Sequence, residues 1–171
     1  MSLDAHHPAA PKPPQDGLHP PVQSIEDVIT FRLHRLITMA ERGGNNWPEA
    51  QFGLSLNEWR LLALVKARTP VRAGDVAELL MMDKSQMSRL IKGLIARRLL
   101  RNAPDARDAR AAALTLTPQG QTLHDRMLAE VLRGNEKLLA VLTPDQVDAL
   151  YEMLSILITH SEALLAARIN G

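Results

Sequence analysis

Two helical patterns joined by a short turn, and then two strand-like segments, occupy the chain from Ala73 to Gly120. The first helical segment contains GDVAELL, the turn is MMDKS, and the second segment is SQMSRLIKGLIARRLL. Apolar residues recur at helical spacing in both. The period then changes to that of strands on either side of PDARDAR. This stretch therefore predicts a helix pair followed directly by a β-hairpin.

Positive charge is concentrated in the same stretch. Residues Lys84 to Arg110 include eight Lys or Arg and two Asp, which gives +6, whereas the whole chain is +1. The remainder carries 12 basic and 17 acidic residues, or −5. A single exposed basic residue is usually only a solvated charge. A basic helix and a basic hairpin on an acidic body are typical of proteins that bind duplex DNA.

Composition excludes several other classes of protein. The chain has 171 residues, which suits one domain, or one core with an added arm. It is 46% hydrophobic but only 3% aromatic, which favours helices over a β-sandwich. The absence of cysteine excludes disulfides, thiol-based redox sensing and Cys-ligated metal sites. No apolar run is long enough to span a membrane or form a signal sequence, so we expect a cytoplasmic protein without membrane contact.

The first 22 residues form a separate compositional zone. They hold six of the eleven prolines and almost no aliphatic bulk, so residues 1–22 are predicted to be a disordered arm. His6, His7 and His19 could suggest a metal site, but no ordered scaffold is predicted to hold them. Packing of the arm on a partner subunit or on DNA is the alternative.

Capping residues predict where the helices begin. Ser24 with Asp27, Ser55 with Glu58, and Asp83 with Gln86 have capping-box spacing. Thr117 and Thr143 each precede a proline at the first helical position. The predicted order is α-α-α-α-β-β-α-α, with helices over 25–43, 56–66, 73–80, a fourth from 84, 118–141 and 144–168, and strands over 99–102 and 111–116.

The segment LSLNEWRLLALV, and the later VAELLMMDKSQMSRLIKGLIARRLLRNAPDARDARAAALTLTPQG, resemble the MarR family of winged-helix transcription regulators. The resemblance covers residues 24–168, and its most specific element is Asp105-x-Arg107-Asp108-x-Arg110 followed by LTPQG. It implies a mainly α fold with a small β-wing. A winged helix-turn-helix DNA-binding domain (53–117) would be embedded in a helical dimerisation region (23–52 and 118–171).

Two positions depart from the family pattern. Met81 and Arg98 stand where the family usually has glycine, before and after the recognition helix. Both positions often require a positive φ, which a side chain disfavours. We therefore expect a slightly altered turn at Met81, or a recognition helix that continues past Arg98.

The basic helix is the candidate reader of DNA sequence, because an α-helix fits the major groove. Gln86 suits adenine and Arg89 suits guanine, whereas Lys84 and Lys92 suit phosphates. The resemblance implies that Arg110 enters the minor groove and that Asp108 braces the wing through an ion pair. The candidate DNA-binding residues are Lys84, Ser85, Gln86, Ser88, Arg89, Lys92, Arg107 and Arg110. The apolar residues expected on the opposite face of this helix are Met87, Leu90, Ile91, Leu94 and Ile95.

The terminal helices carry more apolar surface than one small domain can cover, and the resemblance implies a homodimer on a pseudo-palindromic operator. It also implies a small effector, an aromatic or phenolic acid or its thioester. A guanidinium beside an indole suits an aromatic carboxylate. The candidate effector residues are Arg32, His34, Arg35 and Trp59, with Trp47 as a further candidate. The alternatives are a core role for Trp59 and a surface role for the arginines.

Other functions receive less support. The chain has no glycine-rich phosphate loop, no paired-His metal motif and no nucleophile elbow, so we expect neither an enzyme nor a bound cofactor. A metal-responsive regulator would have to use His34, His124 and His160, which are scattered singly along helices. A DNA-binding architectural protein without an effector is the remaining alternative. We expect a repressor, which is the commoner mode in the family.

Overall fold

The computed structural model describes residues 22–43, 47–104 and 112–169, which are mainly helical with one small antiparallel sheet. This confirms the predicted fold class. By contacts the chain divides into two compact units, residues 1–56 and 57–171. The elements within the described residues are α1 (Ile29–Gly43), α2 (Trp47–Phe52), α3 (Leu56–Arg68), β1 (Val71–Arg72), α4 (Ala73–Leu79), α5 (Lys84–Ala96), β2 (Leu100–Pro104), β3 (Ala112–Leu116), α6 (Pro118–Leu139) and α7 (Pro144–Ile169).

The first unit begins with the predicted capping box. The Ser24 side chain accepts a hydrogen bond from the Glu26 backbone N–H, and the Asp27 carboxylate accepts from the Ser24 backbone N–H at 3.2 Å. Backbone N–H groups of Gln23 and Ser24 hold the pKa of Asp27 below its usual value. The capped segment is only a single 3₁₀ turn, Ile25–Asp27, because Val28 is extended (ψ 123°) and interrupts the helix. The prediction of one continuous helix from residue 25 is therefore wrong.

The second unit contains a core built from α3, α4, α5, the sheet and the first turns of α6. Its buried apolar residues are Trp59, Leu61, Leu62, Val65, Val71, Val76, Ala77, Met87, Leu94, Leu99, Leu100, Ala113, Leu114 and Met127. Apart from Trp59, these buried residues are aliphatic or methionine. The core holds α4 and α5 as a helix-turn-helix.

Within the described ranges, three strands lie in the order β1-β3-β2. The β2–β3 hairpin pairs Leu100 with Leu116 and Pro104 with Ala112. The two-residue strand β1 pairs Val71 with Leu114 on the other edge of β3. The hairpin confirms the predicted pair of strands, whereas β1 is too short to produce an alternating pattern in the sequence.

Met81 and Arg98 adopt the left-handed backbone, with φ of 51° and 57°. After α4, the Met82 N–H donates to Ala77 O at 2.9 Å and the Met81 N–H donates to Glu78 O at 3.0 Å. After α5, the Leu99 and Arg98 N–H groups donate to Leu94 O and Ile95 O in the same pattern. Both helices therefore end in Schellman motifs, in which glycine normally occupies the left-handed position. The expected alteration of the turn, or extension of the recognition helix, is wrong, because the hydrogen bonds hold the motif despite the side chain.

Replacing Met81 with glycine should raise the free energy of unfolding by about 1 kcal/mol, since the left-handed backbone disfavours a Cβ atom. The Met81 side chain is 85% exposed, so little packing is lost. Met81→Ala keeps the Cβ atom and is the control. Urea denaturation followed by circular dichroism measures both. A Met81→Gly variant no more stable than Met81→Ala would contradict this interpretation.

The last two helices begin as predicted. Thr117 caps α6 by accepting from the Gly120 N–H at 3.0 Å, and Thr143 and Gln146 form a reciprocal capping box before α7. Among the described residues of α6, those that are buried lie in its first turns, and none of the described α7 residues is buried. Much of the described apolar surface of these helices is therefore exposed within a single chain.

Candidate nucleic-acid interface

Helix α5 begins at an acidic cap on the surface of the second unit. The Asp83 carboxylate accepts a hydrogen bond from the Gln86 backbone N–H at 2.8 Å. This bond satisfies one of the free N–H groups of the first turn. It also confirms the predicted helix start, which places Lys84, Ser85 and Gln86 in the first turn of an exposed helix.

The exposed face of α5 is polar and basic. Ser85, Arg89 and Lys92 are spaced by four and three residues, so they lie in one row along the helix. Met87 and Leu94 are buried on the opposite side, at 2% and 0% exposure. The helix contains no Asp or Glu, and within the described residues Lys84, Arg89 and Lys92 form no ion pair. This row therefore carries uncompensated positive charge towards solvent.

The other predicted DNA contacts on α5 lie to either side of this row and are also exposed. Lys84 and Ser88 flank it on one side, and Gln86 flanks it on the other. Leu90, Ile91 and Ile95, which were predicted to pack beneath the helix, are only half-buried because they line surface hollows at the flanks. Of the five apolar residues assigned to the inner face, only Met87 and Leu94 are buried.

One flank of α5 includes a residue that sequence reasoning missed. Asn57 and Glu58, at the start of α3, line a hollow of about 300 Å³ together with Gln86 and Arg89. The Glu58 carboxylate lies 3.4 Å from the Arg97 guanidinium, so Arg97 does not contribute a full free charge. The Asn57 amide is a hydrogen-bond donor beside the two candidate base-reading side chains. Its only signal in the sequence was its place in the first turn of a capped helix.

The base of the wing is joined to the end of α5 by Thr117. Its hydroxyl donates to Arg98 O at 2.6 Å, and its backbone N–H donates to Leu99 O at 3.1 Å. A Cβ atom at Gly120 would lie 2.0 Å from the same Leu99 carbonyl oxygen. The close contact ties the start of α6 to the strand that follows α5. Three of the predicted wing residues, Arg107, Asp108 and Arg110, lie outside the described residues.

The candidate effector residues of α1 are exposed. The Arg32 guanidinium donates to Glu26 O at 2.7 Å and to the Asp27 carboxylate at 3.1 Å. It therefore stabilises the preceding 3₁₀ turn. His34 and Arg35 have no described contact that indicates a ligand, so their role in effector binding remains a prediction.

Trp59, the effector candidate on α3, is 6% exposed, and its ring lies 5.5 Å from the buried His124 ring. Next to His124, the Asp125 carboxylate accepts from the Gln121 amide at 2.7 Å and contacts the His124 ring at 2.8 Å. These two contacts hold the pKa of Asp125 below its usual value. The indole thus packs in the core, which was the alternative interpretation of Trp59. The side chain of Trp47 lies outside the described part of the structure.

In the described part of the chain, no group of three or more His, Asp or Glu side chains could hold a metal ion. No helix among the described residues is both long enough and apolar enough to cross a membrane.

Comparison with known proteins shows similarity to one family over part of the chain. Residues 52–111 match the model of the MarR family, and this segment contains α3, α4, α5 and β2. The chain is 26% identical over 109 residues to the transcriptional activatory protein BadR of Rhodopseudomonas palustris. That match covers 62% of this chain and spans only 62% of the length of the curated relative.

Solved structures extend the likeness to most of the chain. A MarR/EmrR family regulator from Acinetobacter matches with a TM-score of 0.73 at 21% identity, over 82% of this chain and 99% of that one. The S. aureus MepR–DNA complex matches with a TM-score of 0.67 at 19% identity, over 80% of this chain and 99% of that one. The Streptomyces coelicolor PcaV regulator in complex with its natural ligand matches with a TM-score of 0.62 at 19% identity, over 81% of this chain and 96% of that one. These likenesses show a shared fold.

Proposed function

We propose that the chain is a winged-helix transcription regulator of the MarR family, acting as a homodimeric repressor that binds a pseudo-palindromic operator and is released by a small aromatic acid or its thioester. The observation that carries the proposal is the exposed, unpaired row of Ser85, Arg89 and Lys92 on α5. A helix of this kind enters the major groove, where its side chains meet base edges and phosphates. The fold shared with the MepR–DNA complex supports this docking mode.

Each residue of α5 has a role that follows from its position. Arg89, in the centre of the outward row, suits the O6 and N7 acceptors of guanine. Gln86, on one flank, suits adenine, while Lys84 and Lys92 neutralise phosphates, with Ser85 and Ser88 as further contacts. Arg110 of the wing enters the adjacent minor groove, Arg107 is a further DNA contact, and Asp108 braces the wing.

A second copy of the chain is the proposed partner of the terminal helices. On α7 the side chains of Leu157, Leu164 and Ile158 are 45%, 54% and 57% exposed. Soluble proteins rarely leave a continuous apolar surface of this kind uncovered. We assign dimerisation to residues 23–52 and 118–171 and DNA binding to residues 53–117. The dimer would present two recognition helices to successive major grooves.

Effector release is proposed through Arg32, His34 and Arg35 of α1, whereas the burial of Trp59 in the core removes it from this set. A guanidinium and an imidazole can pair with a carboxylate. The PcaV regulator, which shares the fold, binds a natural ligand. By reciprocal linkage, an effector that weakens operator binding must itself be bound more weakly by the DNA complex.

Replacing Arg89 with alanine is expected to weaken operator binding roughly tenfold or more, because a bidentate contact to guanine contributes about 1–3 kcal/mol. Arg133→Ala, which removes an exposed arginine paired with Glu130 on α6, is the matched control. Titration of both variants against one labelled operator measures the effect. Equal affinities of Arg89→Ala and the unmodified protein would exclude Arg89 from the interface.

An electrophoretic mobility shift with the DNA that flanks the protein's own gene tests the whole proposal. We expect a specific shift that one member of a panel of aromatic acids and thioesters reverses. A shift that no compound reverses would favour an architectural protein without an effector. The absence of a specific shift at low salt would contradict DNA binding. A promoter fusion then distinguishes repression from activation. Activation is the competing outcome, because the curated relative BadR is a transcriptional activatory protein.

A further inference from the structure

A hollow of about 530 Å³ lies between α4 and the last turns of α7, and we refer to it as the α4–α7 hollow. Its walls are formed by residues of both helices, together with Arg68 at the end of α3 and Met81 in the turn after α4. We propose that this hollow binds a linear alkyl diammonium ion, which is the charged form of a short diamine. None of the lining residues belongs to α5 or α1, so the proposal goes beyond DNA binding and does not depend on it.

The two helices present the same kind of face to the hollow. On α4, Asp75, Glu78 and Leu79 have the spacing i, i+3, i+4 and therefore lie on one side of the helix. On α7, Glu162 and Leu165 have the spacing i, i+3 and also share a side. Each wall of the hollow thus combines carboxylate groups with a leucine side chain.

The carboxylates of the hollow are not neutralised by the protein. Within the described residues, Asp75, Glu78 and Glu162 take part in no ion pair. Arg68 is the only basic residue among the described lining residues, so the lining carries three negative charges and one positive charge, or −2. Charge complementarity therefore favours a cation as the occupant, and a dication balances the charge of the lining.

The carboxylates are too dispersed to bind one small ion. In the part of the chain that the structure describes, no group of three or more His, Asp or Glu side chains could hold a metal ion. Asp75 and Glu78 belong to one wall, whereas Glu162 belongs to the other. A ligand with two separated ammonium groups can pair with the carboxylates of both walls at once, through charge-assisted hydrogen bonds.

Apolar side chains in the hollow require a hydrocarbon portion in the ligand. Leu79, Leu165 and Met81 are 37%, 50% and 85% exposed. Displacement of water from these side chains favours a ligand that covers them. A polymethylene chain does this while its terminal ammonium groups stay beside the carboxylates, as the stem of a lysine side chain does on a protein surface. The volume of the hollow lies within the range of small-molecule sites.

The first test measures binding to the full chain by NMR titration, with ¹³C in the methionine methyl groups. We expect 1,6-diaminohexane at neutral pH, where both of its amines are charged, to shift the methyl resonance of Met81. The resonance of Met127, which is fully buried in the core, should stay in place. Hexylamine, which has the same chain and one ammonium group, should bind roughly fivefold more weakly. The short dication of 1,2-diaminoethane should also bind roughly fivefold more weakly, because it covers little apolar surface.

The second test changes the charge of the lining in both directions. Glu162→Gln should raise the dissociation constant of 1,6-diaminohexane roughly threefold or more, because it removes the carboxylate of the α7 wall. Glu152→Gln is the matched control, since it removes the same charge from the same helix at a residue that does not line the hollow. Arg68→Gln should lower the dissociation constant roughly twofold, because the ligand is then no longer repelled by the guanidinium. A general loss of structure would not strengthen binding.

Three results would each overturn the proposal. The first is a Met81 resonance that does not respond to 1,6-diaminohexane at millimolar concentrations. The second is equal affinity for 1,6-diaminohexane and hexylamine, which would show that the second ammonium group has no partner. The third is the same dissociation constant for Glu162→Gln and Glu152→Gln, with both variants shown to be folded by circular dichroism.

Discussion

Replacing Gly120 with alanine is expected to lower the free energy of unfolding by about 3 kcal/mol, because overpacking at a closely packed site typically costs this much. The added Cβ atom would lie 2.0 Å from Leu99 O and 2.9 Å from Leu99 C, both of which are backbone atoms. A flexible side chain could move aside, but here the backbone at the end of α5 would have to shift. The clash should outweigh the gain of about 1 kcal/mol that alanine normally brings to a helix interior.

The effect should be large because the contact lies within a hydrogen-bonded junction. Thr117 donates from its hydroxyl to Arg98 O and from its backbone N–H to Leu99 O, so the start of α6 cannot move away from Leu99 without breaking these bonds. The same junction joins the end of β3 to the residues that follow α5. We therefore also expect weaker operator binding by the fraction of Gly120→Ala that remains folded.

Gly134→Ala is the control for this prediction. Gly134 lies in the same helix, and a Cβ atom there would meet nothing within 4 Å. That variant should be as stable as the unmodified protein, or more stable by up to about 1 kcal/mol. Denaturant titrations of the three proteins measure the difference. If Gly120→Ala and Gly134→Ala unfold at the same denaturant concentration, the close approach of α6 to Leu99 is not a feature of the protein in solution.

Replacing Leu157 with glutamate is expected to dissociate the proposed homodimer and to reduce operator affinity by two orders of magnitude or more. Leu157 lies at the centre of the apolar surface of α7. In a two-fold interface each substitution occurs twice, and each buried carboxylate without a partner costs several kcal/mol. A monomer offers one recognition helix where the operator has two half-sites.

The sequence of α7 supplies a matched control. Asp148, Glu152, Ser155, Thr159 and Glu162 recur at intervals of three and four residues and form a polar stripe opposite Leu157. Thr159→Glu adds the same charge on this stripe and should leave the dimer intact. Sedimentation at micromolar concentration measures the mass against the 18.9 kDa chain. A Leu157→Glu protein that stays dimeric and binds DNA normally would refute the assignment of α7 to the interface.

The helix starts show how much could be predicted from local chemistry. The caps at Ser24, Asp83, Thr117 and Thr143 all form the hydrogen bonds that their spacing indicated. Each cap joins groups no more than a few residues apart, so the sequence contains all the information needed. The break at Val28, the strand β1 and the six-residue helix α2 were missed because their periodic signals are too short to detect.

Met81 and Arg98 illustrate the limit of local propensity. Their side chains disfavour a positive φ, and the expectation of a changed turn followed from that preference. The structure retains the left-handed backbone at both positions, since the Schellman hydrogen bonds and the packing of the following residues, Leu99 among them, favour it. Tertiary packing thus overrides a preference of about 1 kcal/mol per residue.

Spacing along the chain was enough to predict the helix caps, the long helices and the basic row of α5. These properties depend on neighbours within about one helical turn. The burial of Met87 and Leu94, the half-burial of Ile91 and Ile95 beside a hollow, and the packing of Trp59 against His124 depend instead on contacts between elements distant in the sequence. Helical spacing assigns a side chain to a face of its helix. How deeply that side chain is buried depends on the size of the residues that face it from another element. Ile91 and Ile95 share their hollow with Ala73, Gly74 and Ala77 of α4, which are too small to cover them.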